Sequence, residues 1–180
     1  MKRAFTLMEV NLAILVMAGG ILSIVGLYSL GFRENRQSTE DVASAAYADA
    51  VLSPLVMALS ATNVTWQQFQ KIQNYPQGGN GWGEYLDSDG RVKSGINPQG
   101  AYEYVSSKVG SPDGVLDKWP AEADGGLTAG IVIRRDERKS PTVVRLAFRA
   151  SKLPAMLLSA PMFYTEVRFQ GTVSEGTSAQ

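Results

Sequence analysis

The chain has 180 residues, a mass of 19.4 kDa and equal numbers of acidic and basic side chains, 17 of each. That length suits one domain, or one domain and an anchor, and argues against a multidomain enzyme. Zero net charge recommends no nucleic-acid partner, and the absence of cysteine and histidine removes thiol nucleophiles, disulfides, Cys/His metal centres and imidazole catalysis. Asp, Glu, Lys, Ser and Tyr chemistry remains, but no local constellation of these residues stands out, so neither enzymatic activity nor a cofactor is expected.

In chain order, the first element is an apolar helix. Val10 to Phe32 contains no charged residue and is rich in Leu, Ile, Val and Met. As a helix these 23 residues extend about 35 Å, enough to cross a bilayer core. A cleaved secretory signal fits less well, because its apolar core runs only about 7 to 15 residues. Ala43-Ser44-Ala45 has the form of a signal-peptidase site but lies beyond Arg33, Glu34, Arg36, Glu40 and Asp41. Lys2 and Arg3 before the run balance Arg33 and Arg36 after it, so flanking charge sets no orientation. Gly19, Gly20 and Gly26 permit either local stretching of the helix or close approach of neighbouring helices.

The run is preceded by a short basic leader, Met1-Lys2-Arg3-Ala4, and then by Phe5-Thr6-Leu7-Met8-Glu9. This arrangement resembles the prepilin leader and methylation motif of type IV pilins and type II secretion pseudopilins. The resemblance implies cleavage between Ala4 and Phe5 by prepilin peptidase and N-methylation of Phe5. It also implies assembly through the N-terminal helix with other pilins or pseudopilins, on an inner-membrane platform. Glu9 matches the family's acidic residue five positions into the mature chain, whose implied partner is the amino terminus of a neighbouring subunit. A carboxylate at the head of a membrane segment needs such a partner, unless it sits solvated at headgroup level. Ala4 stands where the family usually has Gly, which leaves the rate of cleavage open. The proline that many pilins carry in this helix is missing. Single-pass insertion in the bacterial inner membrane, with the C-terminal part exported to the periplasm, is likewise implied by the resemblance.

Residues 33–62 read as the amphipathic half of the long helix, with Val42, Ala45, Leu52, Leu55, Val56 and Leu59 spaced near three and four. Ser53-Pro54 predicts an interruption, with Ser capping and Pro opening a second helix. Residues 63–170 are expected to form a loop-rich α+β domain. Thr65 with Gln68 predicts a capping box and a short helix ending near Tyr75-Pro76. Glycine-rich and turn sequences then run from Gly78 to Gly126. Ile131–Ile133, Val143–Phe148 and Phe163–Phe169 alternate as strands, while Leu153–Ala160 is ambiguous between helix and strand. The economical arrangement is α+β, with an antiparallel sheet of three or four strands packed on the amphipathic half of the long helix. Residues 171–180 are small and polar, and a flexible tail is expected.

Other candidate sites give way to simpler readings. Asp87 and Asp89 have the spacing of the start of a calcium loop, but no glutamate completes it and Asp89-Gly90 is a hairpin signature, so no metal is expected. Asn63-Val64-Thr65 matches a glycosylation sequon of the kind that arises by chance. Arg134 to Lys139 is mixed in sign and reads as a solvated turn. Trp66, Trp82 and Trp119 are core anchors or binding-face aromatics, with core favoured. The expected function is that of a filament subunit of a type IV pilus or a secretion pseudopilus, in the manner of a minor pilin or pseudopilin. The alternative is a single-pass membrane-anchored binding module that never enters a filament.

Overall fold

The computed structural model describes residues 6–77, 81–89, 91, 93, 99–120 and 126–171. The chain falls into two units, Met1–Val42 and Ala43–Gln180, and helix α1, Leu7–Ser60, contributes to both. In the first unit α1 is a bare apolar helix: Leu7, Leu12, Leu15, Leu22, Leu27 and Phe32 are 65–81% exposed. The helix is unbroken across Gly19, Gly20 and Gly26, and the Ser23 hydroxyl donates to the Gly19 carbonyl at 2.8 Å. Its most apolar stretch has a mean hydropathy of 2.3. It is thus long and apolar enough to cross a membrane.

In the second unit α1 buries a stripe at helical spacing: Ser44, Tyr47, Ala48, Val51, Leu55 and Leu59. Two members of the predicted stripe fall off it. Val42 is 66% exposed and Ala45 is exposed as well. The predicted break at Ser53-Pro54 does not occur, and Pro54 lies inside α1. Proline costs an interior helix about 3 kcal/mol. Here the apolar stripe continues past it through Leu55, Ala58 and Leu59, all at most 1% exposed, and each buried leucine returns about 2 kcal/mol. A neighbouring carbonyl, that of Val51, also accepts the Tyr102 hydroxyl at 2.8 Å.

Helix α2, Trp66–Gln70, begins with the predicted capping box: the Gln68 N–H donates to the Thr65 hydroxyl, and the Thr65 N–H donates to Gln68 Oε1 at 2.9 Å. It ends well before Tyr75 because its last carbonyls turn to a distant side chain. Arg135 Nη1 donates to the Gln70 carbonyl at 2.6 Å and, at longer range, to those of Phe69 and Ile72. The loop-rich middle also contains a helix that the turn signals did not predict, α3, Gly100–Val109, with Ala101, Tyr102, Val105 and Val109 buried on one face. Short 3-10 helices occupy Gly81–Tyr85, Pro112–Gly114 and Pro154–Ser159, the last settling the ambiguous segment as helix.

The sheet has three antiparallel strands in chain order: β1, Thr128–Arg135; β2, Val143–Ser151; and β3, Met162–Arg168. Ile131 opposes Phe148 and Phe148 opposes Phe163. Every second residue faces α1, so Ile131, Ile133, Val144, Leu146 and Phe148 are fully buried. Tyr47 of α1 meets Phe148 edge-on at 5.3 Å, joining helix to sheet. The layout is α+β, with the helix on one face of a small antiparallel sheet.

Candidate functional site

Ala4 and Phe5, the expected cleavage pair, lie outside the described residues. Glu9 is in the first turn of α1 and does something the sequence reading did not assign to it. Its Oε2 accepts the Thr6 N–H at 2.8 Å and the Thr6 hydroxyl at 2.9 Å, while the Glu9 N–H reaches back to the Thr6 oxygen at 3.3 Å. Thr6 and Glu9 therefore form a capping box that starts the long helix. The Thr-Leu-Met-Glu spacing was the available signal. A carboxylate held at the first turn also faces the positive end of the helix dipole.

Of the two weak metal candidates, Asp87 and Asp89, the first organises a turn. Asp87 Oδ1 accepts the N–H groups of Asp89 and Arg91 at 2.9 and 2.8 Å, and the Asp87 N–H donates to the Arg91 carbonyl, which makes a turn. Among the described residues no three acidic groups are placed to hold a metal. The run from Arg134 to Lys139 is only partly the solvated turn that was expected. Asp136 caps the N–H groups of Arg138 and Lys139, and the Lys139 bond chiefly holds its carboxyl below the ordinary range. Arg134 and Arg135 belong to β1, and Arg135 also donates to the Pro141 carbonyl at 3.0 Å. With Gln73, Asn74 and Arg145 these residues border an open cleft of about 790 Å³ that mixes both signs of charge.

The tryptophans serve the packing. Trp66 stacks on Phe69, Trp119 donates to the Tyr47 hydroxyl at 3.1 Å, and Trp82 lies 5.1 Å beneath the Arg149 guanidinium. Arg149 Nε is buried with no hydrogen-bond partner among the described residues.

The outer edge of β1 is closed at Ile131, Ile133 and Arg135. The Tyr85 hydroxyl accepts the Ile131 N–H at 2.9 Å and donates to the carbonyl of the same residue. Tyr75 pairs with Ile133 through both backbone groups, at 2.8 and 2.9 Å, and the Arg135 N–H reaches Asn74 Oδ1 at 3.4 Å. Gly130 makes this approach possible: a Cβ there would stand 3.0 Å from the Trp82 ring and 3.4 Å from that of Tyr85. Burial pushes the Tyr85 phenol well above the usual tyrosine range. No local sequence signal identified Tyr85 or Arg135, because Ile131 lies 46 residues from Tyr85 and the Gln70 carbonyl 65 residues from Arg135.

No protein-family model, no curated protein and no solved structure matches this chain.

Proposed function

We propose that the chain is a pilin-like subunit, processed by prepilin peptidase between Ala4 and Phe5 and assembled through α1 into a type IV pilus or type II secretion pseudopilus. The observation that supports this best is the form of α1. Its apolar N-terminal stretch is wholly exposed, its last turns bury a stripe in the folded second unit, and a single carboxylate, Glu9, stands at its head. Such a helix needs a bilayer or other apolar helices around it. A filament supplies both in turn, first as membrane and then as neighbouring subunits. Glu9 is the group that pairs with the methylated amine of Phe5 on an adjacent subunit, and the protein works by assembly, without catalysis. Its setting is the bacterial inner membrane, with the second unit exported.

The Thr6–Glu9 capping box favours a second reading, a membrane-anchored binding module, because it gives Glu9 a purpose within its own helix. Mass spectrometry of the protein recovered from bacterial membranes separates the two. The pilin-like reading expects a chain that begins at N-methylated Phe5. A chain that retains Met1 leaves only the anchored module.

A further inference from the structure

The two edges of the sheet are built differently. Along β1, the outward backbone groups of Ile131 and Ile133 are partnered by Tyr85 and Tyr75. Along β3, one bond beyond the strand fixes the phase of the ladder: the Phe169 N–H donates to the Thr142 carbonyl at 2.9 Å, in the register that pairs Val143 with Arg168. Hydrogen-bonded pairs alternate in antiparallel strands, so Phe163, Thr165 and Val167 direct their backbone groups to β2. Met162, Tyr164, Glu166 and Arg168 direct theirs outward, where no described residue meets them.

The inner face of β3 is unfinished as well. Leu146 and Phe148 of β2 are fully buried, whereas their β3 partners Thr165 and Phe163 remain part-exposed. Between β3 and α1 runs a groove of about 430 Å³, lined by Leu52, Val56 and Met57 of α1 and by Phe163, Tyr164 and Thr165. Met57 is 55% exposed there. One more strand beside β3 would satisfy the open backbone groups and set every second side chain in this groove.

We infer that the open edge of β3 is a strand-addition site for an extended segment of a different protein, antiparallel to β3 and apolar at alternate positions. Copies of this chain are poorly suited to continue the sheet for one another. Closure of β1 at Ile131, Ile133 and Arg135 blocks its pairing with a copy's β3. Two β3 edges joined antiparallel set their α1 helices in opposite directions, which a single bilayer does not accept. Joined parallel, they turn the charged outer face of each copy toward the other's apolar groove. An extended segment of another protein escapes these constraints, because its direction along β3 fixes the direction of no membrane anchor. Charge on the outer face selects the segment. An acidic residue belongs beside Arg168 and a basic one beside Glu166, where it extends the row that Arg145 and Glu166 begin at 3.1 Å. The fitting segment therefore reads acidic, apolar, basic, apolar, polar, apolar from its N-terminus. The site lies within the second unit and is independent of whether α1 enters a filament.

The test uses fluorescein-labelled Glu-Val-Lys-Ile-Thr-Val and the full chain in detergent micelles, with binding read by fluorescence polarisation. Saturable binding is expected. In this phase the N–H groups of the peptide's Lys and Thr point to β3, and those of its first Val and its Ile point to solvent. N-methylation of Lys and Thr is expected to weaken binding about tenfold, and N-methylation of the first Val and Ile to leave it unchanged. Exchanging the peptide's Glu and Lys is expected to weaken binding about fivefold, and the chain carrying Glu166→Arg with Arg168→Glu to recover it. Tyr164→Pro removes an outward N–H and no bond to β2, so binding is lost while the near-ultraviolet circular dichroism of the core is kept. Met57→Asp alters an exposed side chain and is expected to weaken binding by placing a charge in the groove. Absence of binding overturns the inference. So does binding indifferent to where the methyl groups sit, which is adsorption to the micelle, or binding that Tyr164→Pro and Met57→Asp both leave intact.

Discussion

Replacing Tyr85 with Phe removes one oxygen and leaves the ring in place against Gly130. Two backbone groups of Ile131 then lose their partner together, the N–H at 2.9 Å and the carbonyl. Ile131 is fully buried and Tyr85 only 5% exposed, so water has poor access to either group. An unsatisfied buried polar group costs about 1–3 kcal/mol, and the deleted hydroxyl no longer has to be desolvated, so the net expectation is about 2–4 kcal/mol. For a folded unit of this size that corresponds to a fall in Tm of roughly 6–15 °C. Urea and thermal unfolding followed by near-ultraviolet circular dichroism give the value. A loss below about 0.5 kcal/mol would show that the edge of β1 is solvated, and that Tyr85 packs there without closing it.

Two further outcomes follow from the same geometry. Burial raises the phenols of Tyr85 and Tyr102, the latter with a smaller push from Tyr47, so the folded state binds these protons more tightly than the unfolded state does. Their stabilisation is complete below the unfolded tyrosine pKa of about 10 and is lost as pH climbs past it toward the folded values. Phenolate absorbance and circular dichroism are therefore expected to change together in strong alkali, and ionisation of all the tyrosines with the dichroism intact would contradict this. At the head of α1, Glu9→Gln keeps an N-terminal cap but removes the charge, whereas Glu9→Ala removes both. If Glu9 pairs with a neighbour's amine, both variants insert in the membrane and neither joins a filament; assembly by the Gln variant would reduce Glu9 to a cap.

The parts of the fold that depend on short-range pattern were readable in advance. Alternation in Val143–Phe148 and in Phe163–Phe169 located β2 and β3, and Thr65 with Gln68 located the start of α2. Pro54 misled, because a proline penalty is local whereas the burial of Leu55 and Leu59 that offsets it depends on a sheet folded from the other end of the chain. Helix α3 was missed behind the turn residues preceding it, although Ala101, Tyr102, Val105 and Val109 had the right spacing. At the head of the chain, charge and position singled out Glu9 as a candidate, whereas its bond to Thr6 went unassigned although the Thr-x-x-Glu spacing carried it. The closure of the β1 edge was not legible, since nothing near Tyr85 in sequence indicates that its hydroxyl ends on Ile131.

Arg135 has a further consequence in a chain that lacks cysteine. One guanidinium ties the end of α2 and the Pro141 carbonyl to β1, closing a loop of more than sixty residues, as a crosslink would. A disulfide in that role would form only in an oxidising compartment and would open under reduction. Bonds from a guanidinium to carbonyls need no oxidant, and because the acceptors are uncharged, salt weakens them less than it weakens an exposed ion pair. The second unit can therefore be tied together on either side of a membrane, independently of the redox state it meets there.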